Sequence, residues 1–282
     1  MEQKTRPRVE IYDQGRGTPY ERISLWNLFA SLDKEKNPPK SYLEVPKDGM
    51  FGIYGLNSLY LASQGRQATL FYDDQDKADL VKKIAELYHL KINLKPYKSS
   101  KSLKKIPDNS YDFVWAFNVL SDVPDIEEFL YEMARISRRY VFFTYMNKKN
   151  YGYFIHRLHH KKTRRRWDHT DLSYEDLKRA DKILATKGFK LENKILLDVP
   201  WFPDIGAPIG EVARDLLGKP KPQGTMGESS GLKWDSLPYF DKNKYEKFKK
   251  GFAKDFIIEK YFPNFIKKFF AHHIGLLYQK GR

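Results

Sequence analysis

The chain has 282 residues, of which 41% are hydrophobic and 15% aromatic, enough for a packed core, so a wholly disordered chain is excluded. With no cysteine, it can hold no disulfide scaffold, thiolate metal site, iron–sulfur cluster or thiol nucleophile. Its formal charge of +15 suits an anionic partner such as nucleic acid, an acidic membrane surface or a phosphorylated small molecule.

The first 19 residues are polar, carry Gly15, Gly17 and two prolines, and read as a loose arm without the apolar core of a signal peptide. Tyr20 to Leu32 is predicted as a helix with a broad apolar stripe, closed by Pro38-Pro39. Strand–helix alternation follows. Ser41 to Val45 is a short strand, and Lys47 to Gly55 is a glycine-bearing loop. Leu56 to Gln64 is a helix stopped by Gly65, and Ala68 to Tyr72 is a strand ending in Asp73-Asp74. Lys77 to His89 is a helix, Lys91 to Leu94 a weak strand, and Tyr111 to Phe117 a near-continuously apolar one, the pattern of a strand covered on both faces. Ile126 to Ile136 is helical and Arg139 to Tyr145 is the fifth strand. Ser173 to Lys187 is a helix, Lys190 to Val199 the sixth strand and Ala271 to Gln279 the seventh.

This spacing predicts an α/β fold: a Rossmann-like, seven-stranded, mostly parallel sheet with helices on both faces, plus an insertion between strands six and seven. Ligands of such sheets bind at the carboxyl ends of the strands, where strand order reverses. The loop after Val45, the Asp73-Asp74 pair and Asn118 should therefore surround one crevice. Their residue types suit a nucleoside. Glycines admit close backbone approach, and a carboxylate accepts both ribose hydroxyls.

The residues in these places resemble class I S-adenosylmethionine-dependent methyltransferases, in the branch that includes the ubiquinone/menaquinone methyltransferases. Ser41-Tyr-Leu-Glu-Val resembles that family's first strand, Leu59-Tyr-Leu-Ala-Ser-Gln-Gly its first helix, and Ala68-Thr-Leu-Phe-Tyr-Asp73 its second strand. Ile106-Pro-Asp-Asn-Ser-Tyr-Asp-Phe-Val-Trp-Ala-Phe-Asn-Val-Leu resembles its fourth-strand signature. The resemblance spans roughly residues 20 to 198 and the final strand. It implies S-adenosylmethionine as cofactor and assigns cofactor-binding roles. Glu44, Pro46, Asp48 and Gly49 would face the methionine end, Asp73 the ribose, Asp74 the adenine, and Asn118 the transferring methyl. Capping of the next helix is the alternative for Asp73-Asp74, and a turn for Asn118. The glycine loop departs from the family pattern: Pro46, Asp48 and Met50 stand where glycines are usual, and Gly49, Gly52 and Gly55 follow at three-residue spacing. A nicotinamide-binding domain would want G-x-G-x-x-G directly after the first strand, which is absent.

His156, His159, His160 and His169 lie close together beside Asp168 and Asp171. Helical spacing from His156 would suit a metal, but the aromatic segment and the basic run Lys161 to Arg166 favour a substrate-facing role, with His156 or His169 as catalytic base and no metal. His272 and His273 read as packing residues on opposite faces of the last strand. The expected organisation is an arm and cap helix (1–40), a cofactor-binding core (41–198), a substrate insertion or lid (199–268) and the final strand (269–282). Phe252, Phe256, Phe262, Phe265, Phe269 and Phe270, interleaved with lysines, read as lid or core, with a membrane-facing surface as the minority alternative. From Lys242 to Arg282 there are eleven Lys/Arg against three acids. The expected function is methyl transfer to a small-molecule or lipid-like, anionic acceptor in the cytoplasm, with peripheral membrane contact as an option. Two alternatives stand beside it: an RNA methyltransferase, disfavoured because no RNA-binding module is appended, and a non-catalytic binding protein with a degenerate loop.

Overall fold

The structure is a computed structural model that describes residues 9–13, 15–164, 174–203, 209–218 and 231–281. In chain order its elements are β1 (Tyr12–Asp13), α1 (Gly17–Leu32), β2 (Ser41–Glu44), α2 (Leu56–Ser63), β3 (Gln67–Tyr72), α3 (Gln75–Leu87), β4 (Ile92–Pro96), α4 (Lys101–Lys104), β5 (Tyr111–Ala116), α5 (Ile126–Ile136) and β6 (Ser137–Met146). The chain continues through α6 (Tyr151–Thr163), α7 (Tyr174–Thr186), β7 (Phe189–Leu197), α8 (Ile209–Leu216), β8 (Leu232–Lys233), α9 (Lys242–Lys250), α10 (Ile257–Tyr261), α11 (Asn264–Phe270) and β9 (His273–Lys280).

The main sheet is seven-stranded, in the order β4-β3-β2-β5-β6-β9-β7. The pairs among β4, β3, β2, β5 and β6 are parallel, and β9 runs antiparallel between β6 and β7. This is the expected Rossmann-like architecture, with an excursion between the sixth and seventh strands. The chain steps outward from β2 to β4 and returns on the other side of β2. Strand order therefore reverses between β2 and β5, and the loops above them diverge.

Sequence chemistry sets these positions. Asp112, at the start of β5, accepts hydrogen bonds from Lys40 N (2.9 Å) and Ser41 N (3.2 Å), while Ser41 Oγ accepts one from Asp112 N (2.9 Å). This exchange fixes where β5 lies against β2. Both faces of β5 are buried: Phe113 and Trp115 pack toward α1 and α2, Val114 and Ala116 toward α5. Burying side chains of this size stabilises by about 1.5–3 kcal/mol each, so the apolar strand can only be central.

The structure corrects two sequence expectations and divides a third. The arm is not loose throughout: Tyr12–Asp13 pair with Leu232–Lys233 in a two-stranded sheet, and α1 begins at Gly17. His272 precedes β9 rather than lying within it, so the two rings do not point to opposite faces; their centroids are 4.4 Å apart. The phenylalanine-rich stretch is three short helices, and its side chains divide. Phe252 and Phe256 enter the core, whereas Phe262, Phe265 and Phe269 are exposed.

Candidate active site

Asp73 follows β3 and opens onto a cleft of about 550 Å3 at the carboxyl ends of the strands. Pro46 and Lys47 wall it on one side, Tyr97 to Lys101 on the second, and Asp122 to Asp125 on the third. The volume lies within the usual range for a small-molecule site, and the position is the one strand reversal dictates. Another depression, between α5 and α7, lies on the outer helix layer away from the strand ends.

The Lys47 ammonium sits 3.3 Å from Asp73 Oδ2 and 3.4 Å from Asp122 Oδ2, and Lys77 reaches the other Asp73 oxygen at 3.8 Å. Burial works against the charged Lys47, but these two carboxylates outweigh it and raise its pKa. Asp74 turns away from the cleft. Its Oδ1 caps α3, accepting from Asp76 N (2.8 Å) and Lys77 N (3.2 Å), so the capping alternative describes its side chain.

The loop after β2 holds its shape by side chains where glycines would normally allow free backbone geometry. The two Asp48 oxygens turn back on the loop, accepting from Met50 N (2.9 Å) and Gly55 N (2.7 Å). Arg22 and Asp13, both fully buried, clamp its far end. Arg22 forms a bidentate pair with Asp13 and donates to Phe51 O and Ile53 O, while Asp13 accepts from Ile53 N and from the Tyr239 hydroxyl. Gly49 is packed so closely that a Cβ would stand 2.0 Å from Phe117 O and 2.3 Å from Val119 Cγ1. The loop and the segment after β5 are therefore in contact.

Glu44, at the end of β2, is fully buried. Its Oε2 accepts from Ser58 Oγ at 2.5 Å, and its Oε1 has no hydrogen-bond partner. Burial, with the Asp48 charge added, holds the Glu44 carboxyl well above the usual range. Burial also raises Asp48, against the pull of Arg22 and the two loop N–H groups. Asn118 has φ +49°, a left-handed conformation that asparagine tolerates, and its N–H donates to Thr144 Oγ1 at 2.9 Å.

The histidine cluster separates. On α6, His156 Nε2 meets His160 Nε2 at 2.9 Å, while the buried His159 pairs with Asp215 of α8 at 2.8 Å. His159 thus ties two helices together. His169 lies outside the described residues. Sequence reading placed Lys47 only within the loop Pro46 to Gly49, and missed Tyr97 and Asp122 as cleft residues and Asp13–Arg22 as the loop clamp. Each is a single residue whose role depends on a partner distant in the chain, which periodicity does not reveal.

Residues 51–143 match the family model described as a methyltransferase domain. Magnesium protoporphyrin IX methyltransferase from Synechocystis PCC 6803, solved with S-adenosylhomocysteine (SAH), is similar with a TM-score of 0.52 and 11% identity, over 96% of this chain and 91% of that one. Plantazolicin methyltransferase BamL, solved with a triazolic desmethyl analogue and SAH, gives 0.51 and 9%, over 94% and 86%. At such identities the likeness establishes the fold. No curated protein matches the chain by sequence. Over residues 51–143 the chain thus carries a methyltransferase domain, of the kind that takes S-adenosylmethionine as methyl donor.

Proposed function

We propose that the protein methylates a small-molecule or lipid-like acceptor bearing an anionic group, and that its cofactor lies in the cleft at Asp73. The carrying observation is this carboxylate at the tip of β3, opening onto a cleft beside the β2–β5 reversal. The residues present fit an adenosyl group. Asp73 can accept from both ribose hydroxyls, and Tyr97, Val123, Pro124 and Pro46 offer a largely apolar wall for a base. At the methionine end, the partnerless Glu44 Oε1 fits an ammonium group, which would also lower the carboxyl's pKa. That end is closed by Gly49 against Phe117, so access there requires the loop to lift. The sulfonium supplies an electrophilic methyl group, and the protein's task is orientation and exclusion of water. Asn118, held by Thr144, is the residue we assign to the transfer side. His156 and His169 remain our candidate bases for an acceptor that must lose a proton. Within the fold, the Ile106 to Leu120 motif supports the ubiquinone/menaquinone-like branch.

The acceptor class rests on charge and surface. Lys260, Lys267 and Lys268 flank exposed Tyr261, Phe265 and Phe269 on α10 and α11. These helices adjoin the carboxyl edge, where Asn147 and Asn150 after β6 donate to the carbonyls of Lys268, Ala271 and Phe270. Aromatic residues among lysines also favour peripheral contact with an anionic membrane, although no described helix is long and apolar enough to cross one. Incubation with methyl-labelled cofactor and fractionated cell extract tests the function. Label in the organic-soluble fraction is the expected result. Label in RNA favours the nucleic-acid alternative, and transfer to no fraction overturns the enzymatic assignment.

A further inference from the structure

Four side chains from three separate segments meet at the carboxyl edge of the sheet, away from the Asp73 cleft: Glu21 of α1, Asp198 after β7, and His272 and His273 at the entry to β9. One ligand-capable atom from each lies within 4.8 Å of all the others. Glu21 Oε1 is 3.1 Å from His273 Nδ1, and Asp198 Oδ2 is 3.2 Å from His272 Nδ1. Asp198 is fully buried and Glu21 and His273 are nearly so, while His272 is 19% exposed and forms the way in.

The donors gathered here are those a cation takes. Two carboxylates are withdrawn from water, where burying charge costs several kcal/mol. Two imidazole rings stand beside them with centroids 4.4 Å apart, one buried and one at the opening. The surrounding contacts hold the cluster in place: Glu259 accepts from Tyr20 OH (2.9 Å) and from Ser24 Oγ, and Ser24 Oγ in turn accepts from Asp198 N (3.0 Å).

We propose that Glu21, Asp198, His272 and His273 form a binding site for one divalent first-row transition cation. Two imidazoles and two carboxylates neutralise such an ion and match the ligand preferences of Zn2+, Fe2+ and Mn2+. Bonds of about 2.0–2.2 Å put tetrahedral ligand atoms roughly 3.5 Å apart, so side-chain shifts of about 1 Å close the site. The backbone already aims the ligands. Asp198 is held at φ +54°, its N–H bonded to Ser24 and its carbonyl accepting from His272 N at 2.8 Å. The ion would fasten the cap helix α1 to the C-terminal strands. The site also adjoins the proposed transfer side, since the Phe117 ring is 4.9 Å from the His273 ring and Asn118 comes next.

The full-length chain, stripped with chelator, is titrated with Co2+ and followed by visible ligand-field absorption and by melting temperature. One equivalent is expected to bind with micromolar or better affinity and to raise the melting temperature. Glu21→Gln and His273→Gln should each weaken binding by about tenfold or more, as loss of a ligand does. Because these sites are buried, His272→Asn, at the exposed edge, serves as the variant that keeps the fold, checked by circular dichroism. His156→Ala/His160→Ala removes the other close imidazole pair and should leave the absorption band intact. The proposal is overturned if no band appears at about 1 mM Co2+, a concentration at which only negligible affinity escapes detection. It is equally overturned if the band survives His272→Asn and His273→Gln, or disappears in the His156/His160 variant.

Discussion

The Lys47 ammonium lies 3.3 Å from Asp73 Oδ2, on the carboxylate assigned to the cofactor ribose. Under the proposed assignment, ribose hydroxyls would compete with the Lys47 ammonium for the same oxygens. Lys47→Met should tighten SAH binding by about threefold, or roughly 0.6 kcal/mol, the scale of a partly exposed ion pair. Isothermal titration checks this. Weaker binding in the variant would mean that Lys47 contacts the ligand instead.

Gly49 is the contact by which the loop closes on β5. Ala at this position would place its Cβ against the Phe117 carbonyl, which is backbone and cannot rotate away. Gly49→Ala should cost about 1–3 kcal/mol in urea denaturation, the usual cost of overpacking. It should also speed amide exchange across residues 46–55. Unchanged exchange would show that the loop does not rest on Phe117.

Arg22 and Asp13 form a buried pair that joins the arm, the loop after β2 and Tyr239 of the insertion. Arg22→Met leaves Asp13 as an isolated buried charge and should destabilise by about 3–5 kcal/mol. Asp13→Asn combined with Arg22→Met should recover part of that loss, measured by the same denaturation. A double variant less stable than the single one would contradict the charge argument.

The sheet was legible in the sequence because its strands are short apolar runs punctuated by glycine and acidic residues. Tyr111 to Phe117 reads as central from its near-continuous hydrophobicity, and β5 is central. Asp73 was legible for the same reason, since a strand's end fixes where its carboxylate goes. What was not legible depends on contacts between residues distant in the chain. Asp13 meets Arg22 and Tyr239 only in the folded chain, and in the sequence it is one acid in a polar arm. His272 and His273 read as alternating strand positions, but β9 begins at His273, two residues later than the pattern suggests, and that shift turns both rings to one cluster. Asp48 was read toward a ligand, whereas its carboxylate replaces missing glycines by tying Met50 and Gly55 together.

Glu44 has a pH signature. Its carboxyl, raised above the ordinary value of 4.5 by burial and by Asp48, holds its proton more tightly folded than unfolded. Stability therefore falls as pH rises from that value toward the raised one, by up to about 1.4 kcal/mol per pH unit for one group. Glu44→Gln should flatten the decline above pH 4.5, leaving the contributions of Asp48 and Glu259, whose carboxyls burial also raises. Denaturation midpoints across that range provide the check, and an identical slope in both proteins would show that Glu44 is ionised throughout.

The most direct test is calorimetric titration of the protein with SAH, repeated with Asp73→Ala and with Asp74→Ala. Saturable binding to the parent chain is expected, weakened about tenfold or more by Asp73→Ala, which corresponds to about 1.4 kcal/mol. Asp74→Ala should change affinity less than twofold while costing about 1 kcal/mol of stability as a lost helix cap. No heat with the parent chain, or equal affinity in Asp73→Ala, would contradict a cofactor held at the tip of β3.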